Sequence, residues 1–523
     1  MESRRRLAEL AFFCLLLAGM LVATRAQLFY DPGTFWHTVV GEKLLTTHPF
    51  LDTDPLTFSQ QGRPWIPSQW LAEIGMALAH RALGLDGLLW ATLLLLAGLL
   101  AWLGGRLVAA GCHPILGGFI TVLIFSAMCY HFHARPHLLT MLFLALLLAV
   151  LVEVEAGRWR LASLWGLVPL FLVWVNVHGG VVGGMATFGL VGIGWGLSWL
   201  LAGKGPLKSG RDVALLAGVG AVSAATALIN PYGWRLPATW LELLRLDLPQ
   251  VISEHAPLDL TQPEGVAVVV FGGLYLPLLL GVLPGRPRVT WLVPLVWLVL
   301  ACLRIRNGPL FAVTAGVVLA DLLPYTRWMQ ALARRGDLFT LPPESQPETE
   351  KPGSSWLASL VRTLGRHIWL VLLPLPLLLP QSWMRGWVHL NPEHWPIEIV
   401  DVIRREAGQP GTRIFCDDPC GGFLTYHVPG LLIFFDDRCE LHGLFPPERP
   451  LLFDYVDGMK TPATAEATFD RWDAEFGFNL ALIHSDNAYG RLLRERPDWQ
   501  VLAETQAEDP KKRIILARRS AAR

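Results

Sequence analysis

Charge is scarce and evenly balanced in this sequence of 523 residues. Only 16% of the residues are charged, against about one-quarter in an ordinary soluble domain. Lysine and arginine together number 43, as do aspartate and glutamate. A chain without a basic excess offers no electrostatic footprint for nucleic acid. Since 53% of the residues are hydrophobic, most of the chain is expected to lie in a membrane.

The seven cysteines show no metal-binding spacing. Four of them lie in or beside apolar stretches, where a small buried thiol is expected. Cys416, Cys420 and Cys439 share the more polar C-terminal part. In an oxidising compartment two of these three could pair, and the sequence does not say which.

Eleven apolar runs, at roughly 15 to 22 residues each with some slightly short, can be threaded alternately outward and inward. The first follows three arginines and is interpreted as an uncleaved span, because it is long for a signal peptide and ends in a poor cleavage site. The predicted spans are 7–24, 88–107, 115–130, 138–152, 162–177, 181–201, 213–229, 266–283, 291–303, 310–323 and 368–380.

The basic residues between these spans set the orientation, because short loops rich in lysine and arginine stay in the cytoplasm. The predicted inner loops contain Arg106, Arg158, Arg160, Lys204, Lys208, Arg211, Arg286, Arg288, Arg327, Arg334 and Arg335. The pattern predicts a multi-pass protein of a bacterial inner membrane with a cytoplasmic N-terminus. An odd number of spans places the C-terminal part in the periplasm.

Two domains are predicted. Residues 1–383 form an α-helical transmembrane domain, with a first periplasmic loop at 25–87 and a flexible cytoplasmic linker at 325–355. Residues 384–523 form a small periplasmic α/β domain. Its helices are predicted at 396–406 and 464–476, and its strands at 413–416, 431–436, 480–484 and 513–517.

Polar side chains cluster at the predicted outer ends of the spans. Such groups are costly at the edge of the bilayer unless they face water or one another, so they are expected to meet in one outer cavity. They include Asp31, His37, His131, His133, Arg135, Asn176, His178, Asn230, Glu254, His255, Arg304, Arg306 and Asn307.

The first outer loop has the strongest chemical signal. Asp31 follows the first span directly, at the depth where the phosphate of a lipid carrier sits, and an amphipathic helix lying on the membrane is expected after it. A carboxylate there can accept a proton from an incoming hydroxyl. The alternative is that Asp31 caps the helix that begins near Thr34.

Several short motifs carry a resemblance to a known group. They are Asp-Pro-x-x-x-Trp-His at 31–37, Asp-Pro-Leu-Thr at 54–57, Trp-Leu-Ala-Glu at 70–73, Arg-Pro-His at 135–137, Trp-Val-Asn-Val-His-Gly-Gly at 174–180, Asn-Pro-Tyr-Gly at 230–233, an arginine-rich corner at 304–307, Gly-Gly-Phe-Leu at 421–424 and Phe-Asp-Asp-Arg-Cys-Glu-Leu-His-Gly at 435–443. With these motifs the chain resembles the polyprenyl-phosphate-dependent glycosyltransferases of the GT-C fold, of the protein mannosyltransferase and aminoarabinose transferase kind. It looks most like uncharacterised bacterial multi-pass members of that superfamily.

The resemblance implies a set of roles. Asp31 would be the catalytic base or would orient the acceptor. Guanidinium groups suit phosphate oxygens, so Arg135, Arg304 and Arg306 would bind the carrier phosphate. His37, His178 and Glu254 would line the sugar or acceptor pocket. The remaining substrate-binding candidates are Glu42, Asp54 and Asn230.

The sequence departs from the mannosyltransferase pattern at one point. Those enzymes place a second acid directly after the first, whereas Pro32 follows Asp31 here, so Glu42, Asp52 or Asp54 would have to substitute. Asp52 and Asp54 also resemble the acidic pair that holds a divalent cation in some oligosaccharyl transferases. They are weak candidates for a metal site, and no cofactor is certain.

Structural interpretations compete at several positions. His131 and His133 are interpreted as interfacial or structural, because a metal site needs a third ligand that the sequence does not identify. Asn230 equally suits a turn that ends a helix, and Arg135 could reach lipid headgroups. Residues 436–438 favour a salt-bridged turn over a substrate contact.

Two classes of function stay open. The first is a hexosyl or pentosyl transferase of the inverting type, which moves a sugar from a polyprenyl-phosphate donor to a glycan, lipid or protein acceptor of the cell envelope. The second is a non-catalytic transporter or scaffold for lipid-linked glycans. A transporter is expected to show paired repeats and acidic groups at mid-membrane. The apolar runs contain neither, which favours chemistry at the interface.

Overall fold

The computed structural model describes residues 2–47, 50–246, 253–336, 338–341, 386–444, 446, 448 and 450–520. The N-terminal part is helical. Its helices are α1 (Glu2–Ala23), α2 (Gly33–Thr46), α3 (Trp70–Leu83), α4 (Leu85–Ala109), α5 (Pro114–Ser126), α6 (His137–Glu155), α7 (Leu167–Val177), α8 (Val181–Ala202), α9 (Gly210–Ala225), α10 (Arg235–Arg245), α11 (Pro263–Leu280), α12 (Val293–Leu303), α13 (Gly308–Leu322) and α14 (Arg327–Arg335).

Within the described residues, seven helical stretches are long and apolar enough to cross a membrane: Arg6–Ala23, Leu85–Ala109, His137–Glu155, Val181–Ala202, Gly210–Leu228, Pro263–Leu280 and Ile305–Tyr325. Three shorter apolar helices are Pro114–Ser126, Leu161–Val177 and Val289–Leu303. Each of the first ten predicted spans coincides with one of these ten. The eleventh, 368–380, lies outside the described residues. The chain is therefore an α-helical polytopic membrane protein, as predicted.

The bundle is built around two central helices. The window that could span the membrane is 72% buried in α4 and 78% buried in Ile305–Tyr325, but only 22% buried in α8. Helix α1 packs on α4, and α13 packs against α4, α6 and α12. The outer helices thus present apolar side chains where lipid would lie.

The predicted inner arginines meet at one end of this bundle, the basic end, defined by Arg106, Glu153, Arg158, Arg288 and Asp321. Arg106 Nη2 lies 3.2 Å from Glu153 Oε1, and Arg158 Nη1 lies 2.8 Å from Asp321 Oδ1. Arg288 also pairs with Asp321. Loops that the sequence separates widely therefore share one polar layer.

The predicted flexible linker at 325–355 contains regular structure in its described part. Helix α14 occupies most of 325–336, and Arg327 N donates to Gly281 O at 2.9 Å. Thr340 N donates to Gly111 O at 2.9 Å. Residues 342–355 lie outside the described residues. The sequence missed this packing because a short basic helix resembles a polar loop.

The C-terminal part is a small α/β domain, as predicted. Its helices are α15 (Val400–Ala407), α16 (Asp418–His427), α17 (Cys439–His442), α18 (Leu451–Gly458), α19 (Pro462–Phe476) and α20 (Ala488–Glu495). Its strands are β1 (Ile414–Cys416), β2 (Leu480–His484), β3 (Trp499–Glu504) and β4 (Ile514–Arg519). They form one sheet in the order β1-β2-β4-β3, with β1 parallel to β2 and the other pairs antiparallel.

The strand predicted at 431–436 is wrong. Ile433 makes only isolated bridges, one to Ile414 and one to Thr57 of the first loop. Phe58 N donates to Ile433 O, and Ile433 N donates to Leu56 O, both at 3.0 Å. The segment is extended because it connects the first loop to the sheet edge, a long-range pairing that local sequence does not reveal.

The first loop is part of the core of the C-terminal domain. Phe35 and Phe58 are buried among that domain's aromatic and aliphatic side chains. Gly422 of α16 lies so close to α2 that an added Cβ would be 2.5 Å from the carbonyl oxygen of Pro32. Helix α2 is therefore covered by the C-terminal domain. The predicted boundary at 383/384 falls outside the described residues.

Candidate active site

Asp31 and Arg135 form an ion pair at the end of the bundle opposite the basic end, with Asp31 buried and Arg135 partly buried. Arg135 Nη1 lies 2.7 Å from Asp31 Oδ2. Asp31 follows α1 and is 8% exposed, and Arg135 precedes α6. The sequence predicted that both would reach one cavity, and the structure brings them into direct contact.

The turn before α2 positions Asp31. Its second carboxylate oxygen, Oδ1, accepts a hydrogen bond from Gly33 N at 2.7 Å. One carboxylate oxygen of Asp31 thus holds the turn before α2, and the other pairs with Arg135. A Cβ on Gly33 would lie 2.7 Å from Arg135 Nε, so glycine leaves the space through which the guanidinium reaches Asp31.

A third ionisable group of this site, Asp437, comes from the C-terminal domain. Asp437 Oδ1 accepts a hydrogen bond from Trp36 Nε1 at 2.7 Å. The charge of Asp31 raises the pKa of the Asp437 carboxyl, and the charge of Arg135 lowers it. The sequence analysis assigned this residue to a salt-bridged turn with Asp436 and Arg438. The sequence did contain a signal for this role. The Phe-Asp-Asp-Arg segment has two acids, and a salt-bridged turn with one arginine needs only one of them.

The pKa values of the two carboxyl groups near Arg135 are shifted in opposite directions. Burial opposes ionisation of Asp31, but the adjacent charge of Arg135 outweighs it and holds the pKa of Asp31 at about 2. Burial raises the pKa of Asp437 well above its usual value, and the charge of Asp31 raises it further. Of the two acids, Asp31 is therefore the one that Arg135 holds in the ionised form.

Asp54 belongs to a different buried network. Arg438 Nη1 lies 2.7 Å from Asp54 Oδ1, and Arg438 Nη2 lies 2.7 Å from Asp436 Oδ2. His442 Nε2 contacts Asp436 Oδ1 at 3.0 Å. All four side chains are fully buried. These contacts tie the first loop to the C-terminal domain, so Asp54 has a structural partner and does not line an open pocket.

The weak metal candidates do not converge in the described part of the chain. Asp52 is exposed, and its carbonyl oxygen accepts from Trp65 N at 3.0 Å, whereas Asp54 is buried against Arg438. Glu42 forms an exposed pair with Arg81, with Nη2 2.7 Å from Oε1. None of these acids stands beside Asp31 as the second acid of the mannosyltransferases does.

His37 lies behind the ion pair, between α2 and α3. Its Nδ1 hydrogen-bonds Glu73 Oε1 at 2.8 Å, and both side chains are buried. Burial lowers the pKa of His37, as does the charge of Arg135, and burial raises the pKa of Glu73. His37 Nε2 and Glu73 Oε2 have no hydrogen-bond partner among the described residues. Burial therefore favours the uncharged form of both side chains, and the pair has spare hydrogen-bonding capacity.

His178 reaches the site from the turn between α7 and α8. Gly180 N donates to His178 Nδ1 at 2.9 Å, which leaves the Nε2 side of the ring for other contacts. Burial lowers the pKa of His178 to about 3, with the charges of Arg306 and Arg135 acting in the same direction. A neutral imidazole therefore lies close to both guanidinium groups.

The side chain of Asn230 hydrogen-bonds to the backbone of its own turn. Its Oδ1 accepts from Tyr232 N at 2.8 Å, and its Nδ2 donates to Ala227 O at 2.8 Å and to Gly233 O at 3.0 Å. The neighbouring Ile229 O accepts from Asn176 Nδ2 at 3.0 Å. The Asn-Pro-Tyr-Gly motif thus forms the turn that the sequence analysis gave as its alternative.

Glu254 and Arg306 come from two segments that pair through their backbones. Ile305 N donates to Ala256 O at 3.0 Å, and Arg306 Nη1 donates to His255 Nε2 at 2.5 Å. Arg304 is exposed at the same corner. The arginine-rich corner therefore stands next to the loop that carries Arg135.

Two groups of side chains in the described residues have metal-ligand spacing. One comprises His131, His133 and Glu254, and the other comprises Asp417, Cys420 and His484. The sequence analysis did not identify Glu254 as the third partner of the two histidines, because it lies more than a hundred residues away along the chain.

Fold and site together define a polytopic helical membrane protein whose α/β domain covers a polar site at one end of the bundle. No family model matches the chain, and no curated protein matches it either. Among solved structures, the chain is similar to ArnT from Cupriavidus metallidurans, determined bound to undecaprenyl phosphate. That similarity covers 96% of this chain and 97% of the other, with a TM-score of 0.40 and 13% sequence identity.

Proposed function

We propose that this chain is a membrane glycosyltransferase that moves a sugar from a polyprenyl-phosphate donor to an acceptor hydroxyl at the periplasmic face. The observation that carries the proposal is the contact of the buried Asp31 with the partly buried Arg135, 2.7 Å apart. An acid and a guanidinium at the rim of an apolar bundle are the two groups needed by a transfer from a lipid phosphate.

The donor phosphate would compete with Asp31 for Arg135. A phosphate presents oxygens in the geometry that a guanidinium binds best. As Arg135 turns to the phosphate, Asp31 loses the charge that holds its pKa at about 2. Donor binding would thereby convert Asp31 from an ion-pair partner into a base.

The transfer step then balances within the site. Asp31 takes the proton of the acceptor hydroxyl while the hydroxyl oxygen attacks the anomeric carbon of the sugar. The bond from that carbon to the phosphate oxygen breaks, and its electron pair leaves with the polyprenyl phosphate. Arg135 and Arg306 stabilise the charge that develops on the leaving group, and attack opposite the phosphate inverts the anomeric centre.

The hydrogen-bonding groups around the ion pair suit the sugar. His178 offers an uncharged imidazole, and His37 and Glu73, whose charged forms burial disfavours, each have a polar atom without a partner among the described residues. A cleft of about 240 Å³ adjoins the segment that carries Asp437, with Trp65, Trp234 and Glu440 among its lining residues. Indole faces with nearby carboxylates are suited to a glycan acceptor, and we assign the acceptor to this cleft.

The test compares cell-envelope glycans in a deletion strain complemented with wild type, Asp31→Asn or Glu42→Gln. Glu42 is the matched control, because it is a carboxylate of the same loop whose side chain is 45% exposed and pairs with the exposed Arg81. We expect mass spectrometry of glycans and glycolipids to show one species lost in the deletion and in Asp31→Asn, and kept in Glu42→Gln, at equal membrane accumulation. An unchanged profile in Asp31→Asn would overturn the assignment and favour a transporter or scaffold.

A further inference from the structure

Three potential metal ligands converge beside the Asp31–Arg135 pair. His131 and His133 belong to the loop between α5 and α6, and Glu254 belongs to the segment before α11. Ligand atoms of the three lie within 4.8 Å of one another. His131 Nδ1 and Glu254 Oε1 are 3.7 Å apart, too far for a hydrogen bond. Two ligands of a tetrahedral zinc ion stand roughly 3.3 Å apart, so this spacing is nearly that of a bound cation.

The ligand atoms of this group are largely unused. His133 Nδ1 is buried and has no hydrogen-bond partner within the described part of the chain. His131 is 7% exposed, and its contact with His137 at 2.9 Å is made by its backbone oxygen. A buried ring nitrogen without a partner carries a desolvation cost that a bound ion would remove.

Backbone contacts hold both halves of the group in place. Ala134 N donates to Leu28 O at 2.8 Å, which fixes the histidine loop to the start of the first loop. The Tyr130 hydroxyl donates to Ile305 O, and Ile305 N donates to Ala256 O at 3.0 Å. The histidine loop and the Glu254 segment are therefore both anchored to the arginine-rich corner.

The second group of potential ligands lacks this character. Asp417 Oδ2 lies 2.6 Å from His484 Nδ1 and accepts from His484 N at 3.0 Å. Asp417 Oδ1 accepts from Cys420 N at 3.3 Å, which caps α16. Both oxygens of Asp417 and one ring nitrogen of His484 therefore already have hydrogen-bond partners. These contacts give the second group a structural role, and it serves as the control for the first group.

We propose that His131, His133 and Glu254 hold a zinc ion whose fourth ligand is an oxygen of the donor phosphate. Two imidazoles and one carboxylate with an open position are a ligand set that suits zinc, and they are too rich in nitrogen for magnesium or calcium. This inference rests on the proposed function, because the cation becomes a second anchor for the carrier phosphate beside Arg135.

The surrounding charges fit a cation that works together with an anion. The positive charges of Arg306 and Arg135 and the negative charge of Asp31 all interact electrostatically with His131. Glu254 and Asp31 offset part of the positive charge, and a phosphate offsets the rest. A bound phosphate is therefore expected to add to the zinc affinity that the three side chains supply on their own.

The test uses the full-length protein purified in detergent, stripped of metal with a chelator, incubated with zinc chloride and desalted. Elemental mass spectrometry is expected to find roughly one zinc ion per chain in wild type and in Asp417→Asn, and little in His133→Ala or Glu254→Gln. Cobalt substitution gives an independent readout, because tetrahedral cobalt bound to wild type absorbs visible light and this band is expected to disappear in the two ligand variants. Each variant is compared only where its elution and thermal unfolding match wild type.

Two outcomes overturn the zinc site: wild type that retains no zinc, or zinc that is lost in Asp417→Asn and kept in His133→Ala. Asp31→Asn separates this inference from the proposed function. We expect that variant to keep its zinc while it loses the glycan. If it keeps both, the transferase proposal fails and the zinc site stands. If it loses the glycan while wild type holds no zinc, only the zinc site fails.

Discussion

Replacing Arg438 with methionine is expected to destabilise the junction between the first loop and the C-terminal domain. The guanidinium contacts Asp54 and Asp436 at 2.7 Å each, and all three side chains are fully buried. Methionine fills a similar volume but leaves two carboxylates without a counter-charge. Breaking a buried ion pair by removing one partner costs about 3–5 kcal/mol, and here two acids lose their partner at once.

The assay is thermal unfolding in detergent, combined with limited proteolysis of the first loop. The matched control is Glu42→Gln, which removes a carboxylate of the same loop from an exposed pair. Exposed pairs are screened by water, so no change is expected there.

A triple variant, Asp54→Asn, Asp436→Asn and Arg438→Met, tests the reason for the effect. It removes all three charges and leaves none unpaired, so it is expected to be more stable than Arg438→Met alone. If Arg438→Met unfolds like wild type, or if the triple variant is less stable than the single one, the argument from stranded charge is refuted.

The other predictions concern domain packing, pH and orientation. Gly422→Ala places a Cβ 2.5 Å from the Pro32 oxygen, so α16 must shift, and faster proteolysis between the domains than in wild type is expected. The charge of Asp417 outweighs burial and raises the pKa of His484, so the stabilisation by this pair is complete below about pH 6.5 and is lost as pH rises through the raised pKa. Thermal unfolding should therefore move to lower temperature between neutral and alkaline pH in wild type, and less so in His484→Gln; an equal shift in both would contradict the pair's role. A C-terminal alkaline phosphatase fusion is expected to be active, since that enzyme matures only in the periplasm, and an inactive fusion would reverse the orientation.

The helices were predictable because their signal is local. A run of apolar residues long enough for the bilayer identifies a span without knowledge of its neighbours, and each of the first ten predicted spans coincides with an apolar helix. Span ends were less certain. The span predicted to end at Tyr130 stops as a helix at Ser126, because residues 129–131 form a short 3-10 turn at the end of the bundle that carries Asp31 and Arg135.

Most of the contacts that build the site could not be predicted from the sequence. Asp31 and Arg135 were expected to share a cavity, since polar groups at the rim of a bundle must meet. That Asp437 joins them depends on packing between segments about four hundred residues apart. Asp54 was assigned to substrate through the family resemblance, as a possible second acid of the first loop, whereas its partner, Arg438, becomes visible only once the C-terminal domain is folded. Strand β3 was not predicted, because only Trp499 in it is fully buried and its pattern lacks clear alternation.

Binding of undecaprenyl phosphate to the purified protein tests most directly whether Arg135 serves a lipid phosphate. Wild type, Arg135→Gln and the exposed control Arg245→Gln would be compared by native mass spectrometry, with undecaprenol as the ligand that lacks the phosphate. Hydrogen bonds to a charged group contribute about 1.5–3 kcal/mol, so Arg135→Gln is expected to bind the phosphate roughly 10- to 150-fold more weakly, while Arg245→Gln binds it like wild type. Equal binding by Arg135→Gln and wild type, or equal binding of undecaprenol and its phosphate, would contradict the account.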